Sequence, residues 1–382
     1  MSVKTALGTL LLATAGVLGS AASASAVTLV VGPESCAPGY PHFDTIQGAV
    51  NAAVPGDTTI QVCPGTYAEQ VVINQPMIIL GYDDGSGLPA VITAPASGMA
   101  PNVVMPVAGS VAAQLVLRDT WGVVVQGLTL NGNGAACAAG VGANHVAGLA
   151  MLNLLSDDPS WISTYIGHNE IRNQGEGPTF TYGDPSCGRS SAGILSENSL
   201  VEVDANYVHH ISGDAVALFG QTGLAWNNTI SKAGFAGVAM TGLTNATIAN
   251  NVISESQFGA DLNDCVNINV WNNTMGQYLG YGIYTHNGSF SWIDSNYIES
   301  TFFGIYLNGS LSDRVTNNTI VTTESIGLVD INSRGDNQVW DNYFNSAPIG
   351  IDVDEASLLI DNLGPNIFIN VITEISSSGI VF

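Results

Sequence analysis

The sequence predicts an all-β chain wound as a parallel β-helix, and three observations carry that expectation. A short unit recurs from residue 204 with a period near 22 residues. Each unit alternates apolar and polar side chains with strand periodicity. The units show no helical periodicity, so stacking them buries a continuous core that no single unit could build.

The unit is read from its asparagines. "ANYV", "NNTI", "NNVI", "NNTM", "SNYI", "NNTI", "DNYF" and a degenerate "DNLG" place Asn206, Asn228, Asn251, Asn273, Asn296, Asn318, Asn342 and Asn362 in register, spaced 22, 23, 22, 23, 22, 24 and 20 apart. An earlier unit, "HNEI" followed by "AGILS", is the same pattern broken by an insertion at 173–191. Asparagine suits a recurrent bend because it tolerates the left-handed region, and its amide can bond the coils on either side as a ladder. A second strand follows in each unit: "GVAM", "GADL", "GIYT", "GIYL", "GLVD" and "GIDV".

The ends carry different signals. Lys4, an apolar run from Ala6 to Leu18 and Ala24-Ser25-Ala26 have the form of a secretory signal over residues 1–26, with the mature chain starting at Val27. The run is too short to span a bilayer, and no later stretch comes closer. The expected localisation is therefore outside the cytoplasm, with 27–382 forming one β-helix domain, an N-terminal cap over about 27–60, and insertions at 131–145 and 173–191. Within the cap, "HFDTIQGAVNAAVPGD" at 42–57 predicts a capping helix. Asp44 and Gln47 form a capping-box-like pair, Ile46, Ala49, Val50 and Ala53 share a face, and Pro55-Gly56 ends the helix.

Composition narrows the partners. The formal charge of −24 arises from 31 acidic and only 7 basic residues, so nothing lines a groove to neutralise phosphates and nucleic acid is not an expected partner. The same field repels anionic polymers unless a cation bridges them, whereas neutral glycans meet no such barrier. Polysaccharide is the expected partner; oligomeric state is left open. Five cysteines suit an oxidising compartment: Cys36 is expected to pair with Cys63 and Cys137 with Cys187, leaving Cys265 as a buried apolar residue.

Period-two alternation then maps the surface. Outward positions along the second strand run through Leu195 and Glu197, Ala217 and Phe219, Ala239 and Thr241, Asp261 and Asn263, Tyr284 and His286, Tyr306 and Asn308, Val329 and Ile331, then Asp352 and Asp354. Three successive coils thus present carboxylate, amides, tyrosines and an imidazole together. Asp261 and His286 are the acid–base candidates; Asn263, Tyr281, Tyr284, Tyr306 and Asn308 are the expected substrate contacts, aromatic rings suiting pyranose faces and amides suiting hydroxyls. A plain solvated strand face explains the same residues without a ligand. A second outward column holds Trp226, Trp271, Asp294 and Trp340, with Trp292 and Arg314 two residues earlier in their coils.

The stretch 42–73 and the asparagine repeats resemble the pectin-lyase-like family of right-handed parallel β-helix proteins, pectin methylesterases among them. The resemblance implies the right hand of the helix. That superfamily spans lyases, hydrolases, esterases, epimerases and non-catalytic surface proteins, so it selects no activity. Residues 281–287 also resemble the "Y-G-[IF]-D-P-H-[DE]" motif of mannuronan C5-epimerases: Tyr281, Gly282, Ile283 and His286 match. Tyr284 stands at that family's catalytic aspartate, Thr285 at its proline and Asn287 at its second acid, so both carboxylates are missing.

No His/Cys cluster has metal-site spacing, and no cofactor is expected apart from calcium. For calcium, "DDGSG" at 83–87 and "DVDE" at 352–355 carry clustered carboxylates. Turn chemistry and a solvated edge explain these stretches without it. Two readings of function remain: a hydrolase or lyase acting on polysaccharide at the 261–308 face, or a non-catalytic glycan-binding or surface protein using the same face.

Overall fold

The computed structural model describes residues 27–132, 138–153, 164–175, 190–220, 222–277, 279–321, 323–354, 357 and 362–377. Among them the strands form three long sheets of 14, 12 and 13 strands, in which each coil contributes one strand to each sheet. All neighbours pair in parallel except Val103–Met105, which folds back antiparallel on Gly109–Arg118. One coil shows the plan: Asn269–Trp271 lies in the first sheet, Thr274–Gly276 in the second and Leu279–His286 in the third, and Trp292–Asp294 returns to the first. The protein is a right-handed parallel β-helix.

Inside, the alternation stacks like on like. Ala260, Ile283, Ile305, Leu328 and Ile351 follow one another in register and are buried. Beside them runs a glycine column whose backbones touch. A Cβ on Gly282 would lie 2.5 Å from the Gly304 carbonyl oxygen and 2.6 Å from Ile298 Cγ2, so close approach requires glycine there.

At the bend between the first and second sheets, each pair of residues divides two tasks. The first residue takes the left-handed conformation: Ala205, Asn227, Asn250, Asn272, Ser295, Asn317 and Asp341 all have φ between 51° and 59°. The second is a buried ladder asparagine. Its Oδ1 accepts the backbone N–H and Nδ2–H of the preceding rung, from Asn169 through Asn206, Asn228, Asn251, Asn273, Asn296, Asn318 and Asn342. The last rung is Asn366, which accepts from Asn342 at 3.0 and 3.1 Å. Asn362, the expected position, instead lies in a first-sheet strand and is exposed. Pro365 precedes Asn366, so the pair that marks the other rungs is absent there.

A shorter ladder runs along another bend. Asp313 accepts the Ser291 N–H through Oδ1 at 2.8 Å, and its own N–H donates to Asn337 Oδ1 at 2.9 Å. Burial lifts the Asp313 carboxyl from 3.8 to about 6. A carboxyl raised in the folded state contributes stability in acid and loses it as pH rises through about 6. Asp313→Asn keeps the Oδ1 acceptor and removes the buried charge, with the Ser310 hydroxyl beside the new amide. It should therefore raise stability at pH 7.5 by about 2–3 kcal/mol and by about half as much at pH 5, read from denaturant unfolding at the two pH values.

The N-terminal end is closed by the helix Ile46–Ala52, which buries Ile46, Ala49 and Val50. Its N-cap is Thr45, whose Oγ1 accepts the Gly48 N–H at 3.0 Å; the expected Asp44–Gln47 box does not form. Glu69, arriving from a neighbouring coil, takes the Ile46 and Gln47 N–H groups at 2.8 and 3.0 Å, leaving the Gln47 side chain to bond both backbone groups of Val72. A long-range carboxylate has displaced a local cap. Cys36 and Cys63 form the expected disulfide. Cys137 and Cys187 lie outside the described residues, as do the signal-like residues 1–26 and most of the 173–191 insertion. Cys265 is buried, and burial pushes its thiol up to about 11.

Candidate functional site

The third sheet's outer face carries the candidate residues, and its register brings them together. Ala239, Asp261, Tyr284, Tyr306, Val329 and Asp352 form one column, and Thr241, Asn263, His286, Asn308 and Ile331 form the next. Asp261 and His286 therefore share a face as diagonal neighbours on adjacent strands.

The N-terminal half of that face is closed. Val103, Met105 and Ala108 of the antiparallel hairpin pack on Ala147, Ala150, Leu152, Ala192, Leu195 and Ala217. Glu197 is buried under it and accepts the Val107 and Ala108 N–H groups, the closest at 2.6 Å. The 173–191 insertion lies mostly outside the described residues. Among those described, the cover is the 103–109 segment.

Past the hairpin the face turns aromatic. Phe235, Phe258, Tyr281 and Phe303 pile coil upon coil with ring centroids 4.8, 4.9 and 5.1 Å apart. Tyr284 and Tyr306 stand beside them, 5.5 Å from each other and 5.5 and 5.6 Å from Tyr281. Only Tyr281 of the stack was expected here. The sequence signal for two of the others is an aromatic immediately before the repeat glycine in three successive units, Phe258-Gly259, Tyr281-Gly282 and Phe303-Gly304.

Burial holds the Tyr281 and Tyr306 phenols above the usual range, so both keep their protons and can donate a hydrogen bond to a ligand at any ordinary pH. Asp261 is 2% exposed and accepts from Asn263 Nδ2 at 2.8 Å. His286 Nδ1 is buried and makes no hydrogen bond among the described residues. In the two columns the positions adjoining Asp261 carry Ala239, Thr241, Asn263, Tyr284 and His286, so His286 is the titratable base beside it. Asp264 is turned to Asn287, which donates to it at 3.2 Å. The face therefore joins Asp261, one imidazole and a tyrosine platform, with Asp352 two coils beyond Tyr306 in the same column.

The family model described as "Periplasmic copper-binding protein (NosD)" matches residues 168–358, half of the chain. The chain belongs to the NosD family. The solved structures similar to this NosD-family chain are β-helices of low identity. The GH136 lacto-N-biosidase from Eubacterium ramulus aligns at TM-score 0.59 and 12% identity, over 92% of this chain and 68% of that one. The mannuronan C-5 epimerase AlgE6 A-module of Azotobacter vinelandii aligns at 0.54 and 16%, over 87% and 90%. The DFA-IIIase of Arthrobacter chlorophenolicus A6 aligns at 0.53 and 13%, over 93% and 87%. At these identities the likeness is one of fold. No curated protein sequence matches the chain.

The family's description raises copper, and the side chains answer it. Among the described residues no three His, Cys, Asp or Glu side chains converge on one point. The nearest approach is His209 and His210, whose Nδ1 atoms lie 2.7 Å apart in a hydrogen bond, with His209 Nε2 on Glu170 at 3.1 Å and Arg172 holding that same carboxylate oxygen at 2.9 Å. Burial lowers both imidazole pKa values, and the nitrogens already satisfy one another. Cys265 gives its thiol hydrogen to backbone carbonyls. These donors do not make a copper centre. At the two acidic stretches weighed for calcium, backbone donors take up the carboxylates: Asp83 and Asp84 accept the N–H groups of Gly85 and Ser86 in a turn, whereas Asp352 lies in the strand Ile349–Val353 and Asp354 accepts the N–H groups of Asn332, one coil away, and Ser357.

Proposed function

We propose that this NosD-family protein is exported, with residues 1–26 as its signal and 27–382 as one β-helix domain, and that it acts on polysaccharide at the open half of the third sheet. The observation that carries the reading is the register of three strands, Phe258–Asn263, Leu279–His286 and Thr301–Asn308. It sets Asp261, Tyr284 and Tyr306 in one column and Asn263, His286 and Asn308 in the next. Tyr281, Tyr284 and Tyr306 supply the platform for pyranose faces, Asn263 and Asn308 the hydroxyl contacts, and Asp261 with His286 the proton transfer of a hydrolase or lyase. Two of the proteins that share the fold are, by name, a biosidase and an epimerase. The disulfide and the periplasmic description of the family support export.

A second reading, glycan binding without chemistry, is favoured by the near-complete burial of Asp261 and its bond to Asn263. One experiment separates them. Protein beginning at Val27 is incubated with neutral and uronic polysaccharides, with and without calcium, and released oligosaccharides are sought by mass spectrometry. Products that vanish in His286→Ala are expected. Retention on a polymer without products leaves the binding reading, and neither products nor retention removes both.

A further inference from the structure

The first sheet carries a second set of chemistry-bearing residues on its own outer face, on a different sheet from the site above. Adjacent strands Asn269–Trp271 and Trp292–Asp294 pair Asn269 with Trp292 and Trp271 with Asp294. The two indoles therefore occupy one diagonal of a square and the amide and carboxylate the other. These four residues line a depression of about 340 Å³. Trp292 also walls a neighbouring depression of about 400 Å³ that includes Arg314 and Gln338. Trp271 is 43% exposed and Trp292 51%, a large apolar area to leave in water on a rigid sheet.

The square is held in place. Trp292 Nε1 donates to Thr316 Oγ1 at 3.0 Å, and the Thr316 hydroxyl donates to Asp294 Oδ1 at 2.6 Å. Asn317 Nδ2 reaches the same oxygen at 2.8 Å, and the Ser295 hydroxyl reaches Oδ2 at 2.8 Å. Each carboxylate oxygen has about two acceptor sites. Oδ1 is filled by two donors, and Oδ2 keeps one site open beside the indoles. The arrangement offers exposed aromatic faces, an orienting amide and an acceptor for a hydroxyl, on a ring whose orientation is fixed before any ligand arrives.

We infer that the Trp271–Trp292 cleft is a second glycan-binding site, one that takes a neutral pyranose chain stacked on the indoles with a sugar hydroxyl donating to Asp294. The net charge of −24 and the carboxylate at the centre favour an uncharged polymer over a uronic one. Placed on another sheet from the third-sheet face, the site would hold a polymer to the protein without touching Asp261 or His286.

Affinity electrophoresis in gels containing galactomannan, xyloglucan or, as the acidic comparison, polygalacturonate tests this. Retardation by a neutral polymer is expected, with apparent affinity falling about tenfold or more in Trp292→Ala and in Trp271→Ala, as the loss of a stacking contact implies. Trp292→Phe should retain part of it. Tyr297→Ala, exposed on the second sheet and part of neither site, should leave it unchanged, which shows that losing an exposed aromatic is not enough by itself. Both tryptophans are exposed, and unchanged melting of each variant shows that folding is intact. Retardation that survives both alanine variants, retardation by polygalacturonate alone, or none by any neutral polymer would overturn the assignment.

Discussion

Asn273→Ala should cost about 3–5 kcal/mol of folding stability, the largest effect expected of any single change along the ladder. Asn273 is 1% exposed and makes five side-chain hydrogen bonds. Its Oδ1 accepts both the backbone N–H and an Nδ2 hydrogen of Asn251 at 2.9 Å. Its Nδ2 donates to Asn296 Oδ1 and to the carbonyls of Ile248 and Trp271, at 2.9, 2.9 and 3.1 Å. Alanine leaves the Asn251 N–H and the Ile248 carbonyl buried without these partners, and each such group costs about 1–3 kcal/mol. Asn273→Asp should be no better, because it keeps the acceptors but loses the donors and buries a charge. Asn362→Ala is the control: the exposed Asn362 lies outside the ladder and should shift the unfolding midpoint little. Equal losses at 273 and 362, measured by denaturant unfolding, would mean that the ladder carries no special share of stability.

That contrast also marks what the sequence makes legible. The ladder is readable because its geometry is local and repeated: one left-handed residue, one buried amide, one strand after each. It fails at Asn362 because a matching dipeptide, "DN", outweighs the period; Asn366 lies 24 residues after Asn342, within the range of the other coils, but follows a proline. The outer columns of the third sheet are legible for the same reason, since alternation and period together fix which side chains are neighbours.

What covers those columns is not legible. The hairpin at 103–109 reaches Leu195 and Glu197 across about ninety positions, and nothing in its composition says where it lands. Glu69 is a similar case: its capture of the Ile46 and Gln47 N–H groups depends on stacking one coil against another, whereas the Asp44–Gln47 expectation considers only the helix itself. Local signals fix the solenoid; contacts between distant segments decide which part of its face stays open.

The open part makes the other large prediction. If Asp261 transfers a proton to a polysaccharide bound on this face, Asp261→Asn should lower kcat on that polymer by about 10²–10⁴-fold with little change in KM, as expected for removal of a general acid or base. Asparagine preserves shape and can still accept from Asn263 Nδ2, so folding should survive; unchanged melting verifies that. Tyr306→Ala should do the reverse, raising KM more than it lowers kcat, because a platform contributes to ground state and transition state alike. The burial of Asp261 sharpens the test. A carboxylate 2% exposed and bonded to Asn263 cannot reach a polymer lying on the outermost surface of the tyrosines, so catalysis requires the sugar to settle between Tyr284 and its neighbours. Loss of kcat in Asp261→Asn would show that the sugar does so. Full activity in that variant would remove Asp261 from the chemistry and leave His286 beside the tyrosine platform, with Asp352 as the remaining carboxylate of that column.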